Sequence, residues 1–518
     1  MNSSDNMQTY EAARAFANRY QMIVSTVYCA LAILPSIFFP HPIALLPLAL
    51  IPVGLLFILK KPFVVCLIFI MFSFFRLHEV FPQLDPIKIP LLTALASYFV
   101  LAWHIILTQK VKVYWRHEHT IFARFFGWVV IGIVFSSYPP AAFGSFTSVY
   151  IKIGIMVLAI SWLMTEKEHF KLAHFLIICS GLAVGYVTLY NNANGIGMVE
   201  ETRVTIPGTS LGDPNDLSLV LSFPMSYAIA FAATKGTGKF RTLLGLIGFV
   251  TFISAIIATQ SRGGLLATVA VLGMFGLRII KSKLLLISIG SFGLMILVAA
   301  AGISDRKSGG AAEEGVDASA MGRIHAWEAA FNMALRNPMT GVGLSLFLDN
   351  YWNYATHSRA EGTAHVTHST WFQIMSESGF VGFGLFIFLI FTIFMSIRSS
   401  IERLDRNRGS PEYDPHITAI AMGTYAGLTG FCVSGTFLSQ GFLWPVYIIT
   451  AISIALANYV DRVYPVDEQE TTETTDSTKE SIVKKSRHVL HGDFLHRNGL
   501  NGKGLPHAKR PQGMVKKQ

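Results

Sequence analysis

The chain has 518 residues, of which 52% are hydrophobic and only 14% charged, with a formal net charge of +10 at pH 7. A soluble domain carries roughly 25% charged residues, so this balance excludes an ordinary soluble protein and points to a multi-pass membrane protein. The positive charge does not indicate nucleic acid, because Lys and Arg are spread over short connecting loops and a C-terminal tail, the pattern of membrane topology.

Residues 1–19 are polar and mixed in charge, and no small-residue cleavage site follows the first apolar run, so a removable signal peptide is not expected. A spanning helix needs about 20 mainly apolar residues. Fourteen runs qualify: 20–40, 43–59, 63–80, 88–108, 121–137, 144–164, 168–190, 217–233, 239–258, 263–280, 282–301, 380–397, 418–434 and 441–458. Pro40 and Pro42 leave the first two open to a second reading as one re-entrant hairpin, so the expected count is 12–14. The runs are continuously apolar and do not alternate as barrel strands do. The fold class predicted is therefore all-α and polytopic.

With the N-terminus inside, Lys60-Lys61, Lys110, Lys112, Arg116, Lys167, Lys171, Lys235, Lys239, Arg241, Arg278, Lys281, Lys283, Arg398, Arg403, Arg406 and Arg408 share one side. The positive-inside rule makes that side the cytoplasm. Both termini are then cytoplasmic, and loops 191–216 and 302–379 face outward. The expected organisation is an N-terminal helical part (20–210), a transmembrane core (211–301), a large outer loop (302–379), C-terminal helices (380–458) and a tail (459–518). The tail is rich in Glu, Thr, Lys, Ser, Gly and His, and is read as a disordered cytoplasmic extension. Its basic second half is either solvated or laid on anionic lipid. Cys29, Cys66, Cys179 and Cys432 lie in apolar runs without metal or redox spacing and are read as core packing.

The outer loop 191–216 is Asn- and Gly-rich and ends in Gly212-Asp213-Pro214-Asn215-Asp216. Asp before Pro at a helix start is ordinary capping; the other reading has Asp213 or Asp216 facing a cavity, touching sugar hydroxyls or positioning an arginine. In the loop 302–379, the run Ser308 to Gly315 is flexible in composition. Residues Arg323 to Arg336 are helix-like and stop at Asn337-Pro338. A second helix runs from Ser369 into the next span, carrying Gln373 and Glu377.

Arg262, in Gln260-Ser261-Arg262-Gly263-Gly264, closes an outer span end. A snorkelling cation is the plain reading; the two glycines and the helix N-terminus also make a phosphate site. Arg323 and Trp327 share a helix face, either as an amphipathic lid with Trp at the interface or with Arg323 forked onto a phosphate. His365 and His368 stand three apart, but no His-Glu-x-x-His or Cys pattern accompanies them, so no metal is assigned. A single near-neutral His is the usual acceptor of a hydroxyl proton, and His368, beside the second helix, is the better placed. Lys152, about eight residues into its span, and Arg76, His78 and Glu79 are ionisable groups at depths where function is the default hypothesis. Arg76 has a local partner in Glu79.

From about Leu211 to Ile390 the chain resembles the bacterial O-antigen ligase and O-antigen polymerase superfamily, the Wzy-type C-terminal domain. The resemblance rests on Gly-Asp-Pro-Asn-Asp before a helix, Ser-Arg-Gly-Gly opening the next hairpin, a Gly-Arg-x-x-x-Trp helix, Pro-x-x-Gly-x-Gly, and His-Ser-x-Trp-Phe-Gln followed by Glu377-Ser378-Gly379 and Gly382. Members commonly carry Asn directly after the key His; here it is Ser369, which is also seen in ligase-like branches. The resemblance implies a donor glycan on undecaprenyl diphosphate, passed to an acceptor hydroxyl (of a glycolipid, glycan or protein) on the outer face of the inner membrane, with inversion and without metal or cofactor. Arg262 and Arg323, with Lys152, would then stabilise the leaving diphosphate, and His368 would orient or deprotonate the hydroxyl. Asp213, Asp216, Trp327, His365 and Arg76 are the expected substrate contacts.

Three functions follow as expectations: a ligase first, a polymerase whose acceptor is a second lipid-linked unit next, and a lipid-linked glycan transporter last. No inverted repeat supports the transporter, and the long Arg-, His- and Trp-bearing loop exceeds what a transporter gate needs.

Overall fold

The computed structural model describes residues 56–301, 318–357 and 364–465, together with Met22, Thr26 and Gly54. Most of spans 20–40 and 43–59, the Ser308–Gly315 run and nearly all of the tail lie outside the described residues. The protein is an all-α polytopic membrane protein. Ten of its described helices are long and apolar enough to cross a membrane.

In chain order the helices are α1 (Pro62–Phe74), α2 (Leu77–Val80), α3 (Ile89–Ala102), α4 (His117–Val134), α5 (Pro139–Ser145), α6 (Ile151–Leu163), α7 (Lys167–Asn194), α8 (Pro214–Ala233), α9 (Lys239–Ala258), α10 (Arg262–Ile279), α11 (Lys283–Ala300), α12 (Ala318–Arg336), α13 (Phe347–Tyr354), α14 (Thr370–Arg406), α15 (Pro415–Ser434) and α16 (Trp444–Val463). α5 continues through a π turn into α6, so that Pro139–Leu163 is one span. The only sheet among the described residues is a two-residue antiparallel ladder in the 191–216 loop, Met198 opposite Val204 and Val199 opposite Arg203.

The expected span 63–80 is not one helix. α1 stops at Phe74, and Arg76 takes a left-handed conformation (φ 54°). The run Arg76-Leu77-His78-Glu79 cannot continue an apolar helix cheaply; it turns instead, so that Arg76 pairs with Glu79 at 2.9 Å. Run 121–137 is a helix where expected, but α4 begins with His117, Glu118 and His119 and carries Arg124, and it is not among the ten apolar spans.

α8, α15 and α16 are the most enclosed spans, each 78% buried over its apolar window. Small residues explain the first pairing. Ser218, Ser222 and Ser226 recur every fourth residue on α8, and Gly423 and Gly427 face them from α15. A Cβ on Gly427 would lie 2.8 Å from the Phe223 ring and 2.9 Å from Ser226 Oγ. Ser226 donates to the Gly423 carbonyl at 2.8 Å. Such close backbone approach drives helix association in lipid, where apolar surface alone gives no preference for a neighbouring helix. α11 is the opposite case: none of its residues is buried, and its face is left to lipid.

The loop between α11 and α14 folds over one end of this bundle. The alanine face of α12 (Ala326, Ala329 and Ala330) packs with Met333, Val342, Phe347 and Tyr351 on Ile133 of α4 and Ala142 of α5. Asn350 donates to Ser137 Oγ at 2.7 Å, and the Trp128 indole donates to the Met339 and Ser378 carbonyls at 3.2 Å.

Candidate functional site

Two helix N-termini form the floor. Asp213 caps α8, its carboxylate accepting from the Asn215 N–H at 2.6 Å, with Pro214 in the first turn where no N–H is needed. Ser261 caps α10, accepting from the Gly264 N–H at 3.2 Å. The two caps are tied together, since Ser261 Oγ donates to Asn215 Oδ1 at 2.8 Å. Gly264 makes this possible: a Cβ there would sit 2.5 Å from both Cβ and Oγ of Ser218. The consequence is a pair of adjacent helix starts with their positive dipole ends and Arg262, exposed in the first turn of α10, at one rim.

Arg203 completes the floor. It is buried (5% exposed) and donates from Nε to the Thr259 carbonyl at 3.1 Å and from a terminal nitrogen to Asn215 Oδ1 at 3.2 Å. One guanidinium thus clamps the 191–216 loop to both motifs. The signal for it was its presence as an arginine on the side that the charge bias otherwise leaves poor in Lys and Arg.

The wall is the segment 364–369, which has no regular secondary structure, so His365 and His368 do not share a helix face. His368 adopts φ 42°, a left-handed conformation that costs a non-glycine residue free energy and persists only where its surroundings hold it. The surroundings do so from two sides. From the loop 435–441, Ser439 and Thr367 share a hydroxyl hydrogen bond at 2.7 Å, Thr370 donates to the Leu438 carbonyl at 2.7 Å, and the Gly441 N–H donates to Gln373 at 3.0 Å. From α12, the Trp327 indole donates to the Thr367 carbonyl at 2.8 Å while its ring stacks on Phe372 at 5.2 Å. Trp327 is therefore occupied in holding the histidine segment. Arg323 lies one turn earlier on the same face, and its guanidinium is within electrostatic reach of His368.

The charges meet at His368. Burial lowers its pKa below the usual histidine value, and the Arg323 charge lowers it further; the Asp213 carboxylate opposes them and His365 acts with them. Its imidazole is neutral at pH 7 and has a ring nitrogen able to accept a proton. His365 lies against α12 where Gly322 leaves room, a Cβ there being 3.2 Å from the imidazole.

Asp216 sits in the first turn of α8, where Gln440 donates to its carboxylate at 2.7 Å and the charges of Asp213 and Arg76 are within electrostatic reach. Arg76 is held by Glu79, which also accepts from the Ser210 N–H at 2.6 Å. Burial alone would raise the Glu79 pKa; the Ser210 N–H and the Arg76 charge outweigh it and hold the carboxyl below its usual range. The structure thus brings Arg323, His365, His368 and Asp213 together, and joins Asp216 and Arg76 to them. Arg262 reaches the same loops through its neighbour Gly263, whose Cβ position is 3.1 Å from the Phe437 ring. Lys152 is half-buried on α6; the hydrogen bond at this residue is to its carbonyl, from Tyr98 at 3.1 Å, and among the described residues no contact joins its ammonium to the cluster.

The Pro338-x-x-Gly341-x-Gly343 motif is scaffolding. Val342 N–H donates to the Ser376 carbonyl (2.9 Å), Gly343 N–H to that of Glu377 (3.2 Å) and Phe380 N–H to that of Pro338 (2.8 Å). Gly379, at φ 70°, puts a kink into α14 there, and a Cβ on it would lie 2.3 Å from the Met339 carbonyl oxygen. The Glu377 carboxylate accepts from the Ser345 N–H at 2.6 Å. Glu377 fixes the loop to the kink.

Fold and site define a class: a multi-pass helical membrane protein with a cationic, histidine-bearing site built by loops over one end of its bundle. Residues 247–387 match the family model described as O-antigen ligase (Wzy_C), so this part of the chain is similar to a family of the glycosyltransferase or ligase type, which supports an enzyme. The match runs from within α9 into α14 and includes Arg262, Arg323, His365 and His368; Arg76, Lys152, Asp213 and Asp216 precede it. No curated protein matches the chain.

Proposed function

We propose that the protein transfers a glycan from undecaprenyl diphosphate to an acceptor hydroxyl on the periplasmic face of the inner membrane, as an O-antigen ligase-like enzyme that inverts the anomeric centre and needs no metal. The observation that carries this reading is a neutral His368 beside the Arg323 guanidinium, next to the paired N-termini of α8 and α10. The acceptor oxygen attacks the anomeric carbon and its proton passes to His368. The bond from that carbon to the diphosphate oxygen breaks, and the electron pair leaves with undecaprenyl diphosphate. The charge that develops on the leaving group is met by Arg323 and Arg262 and by the helix N–H groups, contacts worth roughly a few kcal/mol each in a partly dehydrated site. Asp213 opposes the loss of basicity that burial and Arg323 impose on His368. Asp216, with Gln440 bound to it, would hold sugar hydroxyls.

The test is a reconstituted assay. Full-length protein in lipid receives an undecaprenyl-diphosphate glycan and a panel of acceptors in the presence of a chelator. Glycan arriving on a non-polyprenyl acceptor supports the ligase. A lengthening ladder still on polyprenyl diphosphate would establish the polymerase instead. No transfer, from a donor that a known transferase accepts, would overturn both.

A further inference from the structure

A cavity lies at the other end of the helices that begin at the candidate site. α8, α10 and α14 start at the candidate site and finish here, and α15 runs the opposite way, starting here. Their ends form an open cavity of about 630 Å³. Lys235, Arg278 and Arg408 line it, with Asp405 the only carboxylate among the described residues that does. Asp405 is shared: Arg278 reaches one of its oxygens and Arg408 the other, the latter at 2.8 Å. Two guanidinium groups on one carboxylate leave a positive excess, and Lys235 adds to it, making no ion pair among the described residues. Tyr413 also lines the cavity. Its hydroxyl oxygen accepts from Thr418 at 3.2 Å, which leaves the phenolic proton available to donate. Phe275 and Met422 supply apolar wall beside these groups.

Basic residues at this end follow from membrane topology alone, but topology requires neither a cavity around them nor a donor hydroxyl within it. Guanidinium pairs, an ammonium and a phenol converging on a space with an apolar side match a phosphate group attached to something apolar. We propose that this cavity binds phosphate, as carried by an anionic phospholipid headgroup or as the free ion. The proposal is independent of the transfer reaction at the opposite end.

The test uses the full chain in neutral detergent, and native mass spectrometry to count bound molecules. The probes are dioleoylphosphatidylglycerol, dioleoylphosphatidylcholine, the deacylated glycerophosphoglycerol and inorganic phosphate. Binding of phosphatidylglycerol, weakened about tenfold or more by Lys235→Gln with Arg408→Gln, supports a lipid headgroup. Equal binding of glycerophosphoglycerol or inorganic phosphate, with the same loss, supports a free ion. Lys235→Gln alone removes an exposed side chain with no ion pair to break, so it stays folded and gives a smaller loss in the same direction. Equal occupancy by phosphatidylcholine, or unchanged binding in both variants, would overturn the proposal.

Discussion

The Trp327 indole donates to the Thr367 carbonyl at 2.8 Å, so the helix that carries Arg323 is fastened to the peptide that precedes His368. A cation and a base from residues more than forty positions apart are thereby held by one hydrogen bond and one ring stack. Trp327→Phe keeps the stack on Phe372 and loses the donor. The expected cost is about 0.5–1.5 kcal/mol of stability, with a larger fractional fall in kcat than in KM, because both groups shift together. Thermal unfolding beside steady-state transfer kinetics checks it; a variant with unchanged kcat contradicts the link.

The His368 pKa lies below the usual histidine value of about 6.5, so the ring is neutral at pH 7. A base of this kind works above its folded pKa and fails as pH falls through it. The pH profile of kcat/KM should therefore be flat near neutrality, with an acid limb displaced below about 6.5. The same shift has a stability sign. Between the folded and unfolded pKa values the unfolded chain binds more protons, so this contribution is complete above the unfolded value and is lost as pH falls through the folded one. Arg323→Gln removes a positive neighbour and should move the acid limb upward, which an acid limb unchanged in Arg323→Gln would contradict.

Gly264 permits α10 to touch α8 at Ser218. Gly264→Ala places a methyl 2.5 Å from the serine side chain and should destabilise by about 1–3 kcal/mol, the usual range for overpacking. Ser218→Gly in the same chain removes the obstructing atoms and should restore part of the loss. A double variant no more stable than Gly264→Ala would show that the close approach is not what limits this site.

Arg203→Leu is expected to be more damaging than its place in a polar loop suggests. It removes the donors to the buried Thr259 carbonyl and Asn215 Oδ1, and leaving buried acceptors short of partners costs about 1–3 kcal/mol. Arg203→Lys cannot reproduce the fork and should recover little. Thermal unfolding of the two variants in lipid checks both statements.

Hydropathy made most helices legible, because a run of twenty apolar residues has few other structures open to it in lipid. The stop of α12 at Arg336, before Asn337-Pro338, and the run of α14 from the loop into the membrane were equally readable. The break at Arg76 was less so, since hydropathy averages over the single left-handed residue between α1 and α2. Arg203 and Gln440 were missed for a related reason: both act through partners 12 to 224 positions away, and no local spacing records such a pairing. His368, Arg323 and Arg262 stood out because Arg and His are rare beside apolar runs. What the folded chain adds is the set of latches from 367–373 to 435–441, and the neutral state of His368.

The central claim is tested most directly by following release of undecaprenyl diphosphate from a lipid-linked donor in proteoliposomes, under chelation, for wild type, His368→Ala and Arg323→Ala. The account predicts that both variants insert and melt like wild type while release coupled to acceptor glycosylation falls about a hundredfold or more in each. Variants that fold and still transfer glycan at the wild-type rate would contradict it.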